Sequence, residues 1–239
     1  MSERIKIIVC AHKKCNMPKD PMYLPLHVGA AGKKNKDGSP LDFGYVRDDI
    51  GDNISDRNCN FGTQTGLYWV WKNLDADYKG LVHYRRYFVG RNYKKGDMLG
   101  SVITRDEIEP MLDKYKVFVP KKRRYYIESL YSHYAHTHDE THFQIVEKII
   151  SSDCPEYLDA FKKVMKRKWG YMFNMMILER NMMDDYCSWL FNILFQVVER
   201  IDKSNLSAFN SRFCGRISEI LFDVWLEYKL QTGEISKSE

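Results

Sequence analysis

No run of apolar residues in the sequence approaches the roughly 18–20 needed to cross a bilayer, so no spanning helix is expected. The six cysteines (Cys10, Cys15, Cys59, Cys154, Cys187 and Cys214) include no C-x-x-C pair. Nothing at the N-terminus reads as a signal peptide, because Met1 to Lys6 leads straight into an apolar run. The expectation is a reduced, cytoplasmic protein. G-x-G-x-x-G is missing after that first run, which removes the dinucleotide-binding fingerprint. H-E-x-x-H is missing too, although histidines are dense between residues 133 and 142. There is no internal repeat, and no linker long enough to divide the chain. The net charge of +5 fits an acidic ligand or an anionic membrane surface and falls short of a dedicated nucleic-acid binder.

What is present argues for a folded α/β protein: 239 residues, 44% of them hydrophobic and 14% aromatic. Short apolar runs at 5–11, 23–28, 80–83, 116–120 and 169–178 read as strands. Stretches at 65–73, 106–115, 127–150, 155–168, 184–201 and 207–230 read as helices, with Thr104 and Glu107 forming a capping box before the second. The expected organisation is one domain, 1–239, with an α/β part over 1–125 and a mainly helical part over 126–239.

The chemistry concentrates in GLVHYRRYF, residues 80–88. His83, Arg85 and Arg86 stand where a buried strand runs out, and open α/β sheets bind ligands beyond the carboxyl ends of their strands. Two guanidinium forks can grip a diphosphate, or they can pair with acidic neighbours. His12 and Lys13 end the first strand in the same way, and Asp52, Asn53 and Ser55 form a polar turn ahead of the aromatic helix that Thr65 opens. Asn174 is the one amide in an apolar run and needs partners. Arg212, Arg216 and Glu219 are embedded in an apolar helix, where ionisable groups need partners or a cleft. His133, His136, His138 and His142 have helical spacing; a surface or cleft role outweighs a zinc site.

Three stretches together, GDNISDRNCNFGTQTGLYWVWKN, GLVHYRRYF and MFNMMIL…YCSWLF…RISEILFDVWL, resemble a bacterial family of capsular and exopolysaccharide biosynthesis glycosyltransferases, formerly a domain of unknown function. The resemblance implies a GT-A-like nucleotide-sugar-binding sheet with a C-terminal helical region. It further implies a UDP-sugar donor, with galactofuranose used by some relatives, and a lipid-linked or oligosaccharide acceptor. This sequence departs from the family's pattern at 61–64 and at 214–220.

On this reading His12, Lys13, Asp52, Asn53, Ser55, Thr65, His83, Arg85 and Arg86 bind the donor, while Asn174, Arg212 and Arg216 line the acceptor cleft. Glu219, Asp139 and His138 are the candidate bases. His83-Tyr84-Arg85 occupies the place of the Asp-x-Asp expected in such enzymes, so no metal cofactor is expected; Mn²⁺ or Mg²⁺ is the disfavoured alternative. The basic stretches 121–124 and 162–168 suggest peripheral contact with the inner face of a membrane. A glycan- or nucleotide-binding module without turnover is the competing reading, and a metal hydrolase built on residues 133–142 is a third.

Overall fold

The computed structural model describes residues 3–204, 206–207 and 209–236. The chain forms two compact units, one running through Val119 and taking in Met175–Asp184, the other made of Pro120–Asn174 and the chain from Asp185 onward.

The first unit is built on a six-stranded sheet of order β3-β2-β1-β4-β8-β5. β1 (Glu3–Ala11) and β4 (Ala76–His83) lie side by side at its centre in parallel register, Cys10 opposite His83. Residues 7–11 of β1 are buried on both faces, as their continuous apolar run requires, and so are residues 78–82 of β4, Lys79 among them. β2 (Tyr23–His27) and β3 (Val46–Arg47) extend the parallel part. β8 (Met176–Glu179) is antiparallel to both β4 and β5 (Val117–Phe118). The short α1 (Asn58–Phe61) leads into α2 (Gln64–Asn73). Gly66 lets α2 approach the sheet, because a Cβ there would meet Cys10, Val28 and Leu26. α3 (Arg105–Leu112) carries the expected capping box, Glu107 accepting from the Thr104 N–H at 2.8 Å.

The second unit is mainly helical: α4 (Leu130–Thr137), α5 (Thr141–Asp153), α6 (Leu158–Met165), most of α7 (Arg180–Arg200) and α8 (Phe213–Thr232). α8 is apolar on nearly every side, with Phe213, Ile217, Leu221, Phe222 and Trp225 buried, and it serves as the unit's core helix. It ends at Gly233, whose φ of 75° makes the left-handed cap that favours glycine. A two-stranded ladder, β6 (Arg123–Arg124) with β7 (Trp169–Gly170), completes the unit.

Two expectations are corrected. The run 169–178 is not one strand: β7 ends at Gly170, and Phe173 and Asn174 then take φ values of 78° and 50° before β8 begins. The helix expected over 127–150 is two helices, because His138 is extended (φ −144°, ψ −176°) and α5 starts afresh at Thr141. The strand β3, at Val46–Arg47, had no apolar run to announce it.

Candidate functional site

At the carboxyl ends of β1 and β4 the chain turns sharply. His83 and Arg86 exchange backbone hydrogen bonds (3.2 and 2.8 Å), which puts Tyr84 and Arg85 at the tip of a tight turn. The Tyr84 N–H donates to the Cys10 carbonyl at 3.2 Å, fixing this tip to the end of β1. The Tyr84 ring then gathers its surroundings: His12 meets it edge-on at 5.3 Å, Lys13 Nζ lies 5.5 Å from its centroid and the Arg85 guanidinium 5.0 Å. Cations over an aromatic face are held by its quadrupole while their donors stay available to a ligand. Lys13 and Arg85 are exposed, and among the described residues neither is in a salt bridge. His12, Lys13, His83, Arg85 and Arg86 are thus brought together by two adjacent strand ends.

The loops after β2 and β3 are organised by a residue that sequence reasoning passed over. Asp48 is fully buried and accepts four hydrogen bonds: from the N–H groups of Gly29 (2.8 Å) and Ala30 (3.0 Å), the Ser55 hydroxyl (2.5 Å) and the Thr65 hydroxyl (2.7 Å). Gly29 has φ +66° and no room for a Cβ, which would lie 2.5 Å from the Asn58 side chain. Asn58 in turn donates to Thr65 Oγ1 at 3.0 Å. Beside this hub the Arg47 fork grips Asp49 (3.0 and 2.6 Å) and also donates to the Leu41 and Ala30 carbonyls, which pins the Lys- and Gly-rich loop. Arg47 holds the Asp49 carboxyl below its usual range.

The four polar residues expected to act together here are divided. Ser55 and Thr65 join the Asp48 hub at the start of α2. Asp52 lies at the other end of that helix, accepting from the Tyr68 hydroxyl at 3.1 Å and linked to Asn73, and Asn53 caps its own turn through Gly51 and Ser55. The acidic pair Asp75 and Asp77 faces Arg180 (2.6 and 3.6 Å) at the amino end of β4, away from the turn.

The second unit has its own cluster on α8. Asp223 is fully buried, accepts the Tyr171 N–H at 2.9 Å through Oδ2 and leaves Oδ1 without a partner. Gly170 packs directly against it; a Cβ there would lie 2.6 Å from Oδ2. Burial pushes the Asp223 carboxyl up to about 7, against the pull of the Tyr171 N–H, Arg167 and Lys122. Glu219 stands one turn earlier on the same face and Glu227 one turn later, the latter engaged by Lys163 at 2.5 Å and by Arg167. Asp223 lay within the sequence signal applied to Glu219, an ionisable group inside an apolar helix, and at a more buried position.

Arg216 does not stand alone. It donates to the Phe209 carbonyl at 2.7 Å, lies 3.8 Å from that ring's centroid, and meets His138 Nδ1 at 3.2 Å. Burial, reinforced by Arg216, lowers His138 to about 4, so its imidazole is neutral at pH 7. Asp139 accepts from the Thr141 N–H and hydroxyl (2.9 and 2.7 Å), which lowers its carboxyl and spends it on starting α5. Asn174 donates to the Gly215 carbonyl at 2.7 Å while its Oδ1, buried, has no partner. Arg212 is exposed. The other histidines are occupied separately: His133 and His136 both on Glu128, His142 on the Tyr134 hydroxyl.

Residues 6–230 match the model of a family described as a domain of unknown function, DUF4422. No curated protein matches the chain. Among solved structures the chain is similar to WbbM, a bifunctional glycosyltransferase in its apo state, with a TM-score of 0.87 and 28% identity. That similarity covers 98% of this chain and 44% of WbbM, so the chain spans less than half of that protein's length.

Proposed function

The chain belongs to the DUF4422 family, and we propose that it is a glycosyltransferase, moving a sugar from a UDP-sugar donor to a surface-polysaccharide acceptor. The observation that carries the reading is the pair of exposed cations, Lys13 and Arg85, held against Tyr84 where the two central parallel strands end. That is where open α/β sheets take ligands, and a leaving diphosphate is the anion such cations stabilise. The similarity of nearly the whole chain to a bifunctional glycosyltransferase supports the same reading.

His83, Arg85 and Arg86 grip the diphosphate, His12 and Lys13 contact the nucleoside side, and the Asp48 hub holds the neighbouring loops rigid. The residues at this turn do not suit a divalent ion, which wants hard oxygen ligands; the side chains offered are imidazole, phenol and guanidinium. Charge on the departing UDP is met by arginine and lysine. Glu219 remains the leading base for the acceptor hydroxyl, since Asp139 is held by the Thr141 N–H and hydroxyl and His138 is a weak base beside Arg216. Galactose or galactofuranose is the donor sugar that the family resemblance favours.

The test is to incubate the protein with a panel of UDP-sugars, with and without excess EDTA, and to follow UDP release. Release from one donor that persists in EDTA is expected. Affinity for UDP-sugars with no release would favour the binding-module reading, and release abolished by EDTA and restored by Mn²⁺ would overturn the metal-free one.

A further inference from the structure

The ladder between β6 and β7 joins two basic stretches that are far apart in sequence. Arg123 pairs with Gly170 and Arg124 with Trp169; the Tyr125 N–H then donates to the Lys168 carbonyl and the Leu130 N–H to the Arg167 carbonyl, both at 2.7 Å. The chain between those last two bonds is pushed out as a loop. At its tip Tyr126 is 92% exposed and Ile127 86% exposed. Scattered apolar residues on a surface need no explanation, but two adjacent large ones at the tip of a loop pinned between two basic stretches do.

The run 121–124 is exposed throughout, as are Lys162, Lys166 and Lys168, and among the described residues none of these is in a salt bridge. Two of the nearby acids are engaged elsewhere, Glu128 by His133 and His136 and Glu227 by Lys163 and Arg167. The aromatic collar has the makeup of a bilayer interface. Lys122 lies 4.1 Å from the Trp169 ring and 5.5 Å from that of Tyr171, and Arg123 lies 5.1 Å from Tyr125. The same unit holds a cleft of about 440 Å³, lined by Tyr131, Phe143, Phe161 and Met165 together with Lys162, Lys166 and Glu147.

We propose that this face of the helical unit is a docking surface for an anionic lipid bilayer, with Tyr126 and Ile127 entering the interface and the flanking lysines and arginines meeting lipid phosphates. Charge complementarity selects the occupant: a neutral protein partner would leave these cations uncompensated, whereas each one near an anionic surface strengthens binding roughly fivefold. No helix among the described residues is long and apolar enough to cross a membrane; the attachment proposed here is a peripheral, reversible one. The proposal rests on this surface alone, independent of any donor chemistry.

The experiment is co-sedimentation of the full chain with vesicles of mixed phosphatidylglycerol and phosphatidylcholine, at low and high salt, against vesicles of phosphatidylcholine only. Binding to the anionic vesicles at low salt, released by high salt, is expected. Lys121→Ala, Arg124→Ala and Lys166→Ala should each weaken it about fivefold. Tyr126→Ser combined with Ile127→Ser should weaken it with the melting temperature unchanged, since both side chains are in solvent. No binding to anionic vesicles at low salt overturns the proposal, and so does equal binding to neutral ones. An unaltered affinity in the Tyr126/Ile127 variant overturns the role given to the loop.

Discussion

Replacing Asp223 with asparagine should make the protein more stable, by an amount that depends on pH. The carboxyl has an ordinary value near 3.8 and is pushed up to about 7 by burial. Below about pH 4 the folded and unfolded states both hold the proton. Between about 4 and 7 only the folded state holds it, so every pH unit upward costs the folded state about 1.4 kcal/mol. Across roughly three units that amounts to about 4 kcal/mol, fully lost above pH 7. Asparagine keeps an oxygen to accept the Tyr171 N–H and carries no charge to bury. The variant should therefore match the wild type at pH 4 and gain steadily to pH 7. For a chain of this size the gain at pH 8 would raise Tm by on the order of 10 °C. Thermal melts of both proteins at unit steps from pH 4 to 8 measure it. Parallel curves, or a variant equally destabilised at every pH, would refute the claim that Asp223 is held protonated by its surroundings.

Asp48→Ala removes the acceptor of four hydrogen bonds and strands the Gly29 and Ala30 N–H groups, so a loss of about 3 kcal/mol or more is expected in urea unfolding; a loss under about 1 kcal/mol would mean that water replaces the carboxylate without cost. Arg85→Ala should weaken UDP binding by roughly 1.5–3 kcal/mol, the scale of a charged hydrogen bond, and unchanged affinity in titration calorimetry would take Arg85 out of the donor site. Glu219→Gln should keep UDP affinity while lowering turnover by about 10²–10⁴, whereas a lowered melting temperature with turnover intact would make Glu219 an ion-pair partner of Arg216. A fully active Gln variant would remove Glu219 as the base.

The parts of the molecule readable in its sequence are those whose cause is local. The strand of GLVHYRRYF shows itself because a continuous apolar run ends abruptly in charge, and α3 because Thr104 and Glu107 cap it within one turn. Asp48 is invisible for the opposite reason. In V-R-D-D-I-G-D it has the look of a solvated loop, and it is buried only because the N–H groups of Gly29 and Ala30 and the hydroxyls of Ser55 and Thr65 converge on it from elsewhere. Asp223 was within reach, because helical periodicity among Leu221, Phe222, Val224 and Trp225 leaves it no solvent side.

The break inside 169–178 has only one local sign, Asn174, since asparagine takes left-handed backbone more readily than most residues. Phe173 and Asn174 adopt left-handed backbone that costs a non-glycine residue on the order of 1 kcal/mol or more, a cost that falls mainly on Phe173. The pull comes from the Gly215 carbonyl, which Asn174 reaches at 2.7 Å, and from Asp223, which captures the Tyr171 N–H. Both anchors are on α8, later in the chain than the strand they interrupt. A polar residue in an apolar run therefore points to a distant partner, and the backbone bends to meet it. Here the amide singled out in the sequence and the carboxylate overlooked beside Glu219 are two ends of one arrangement, with the strained turn lying between them.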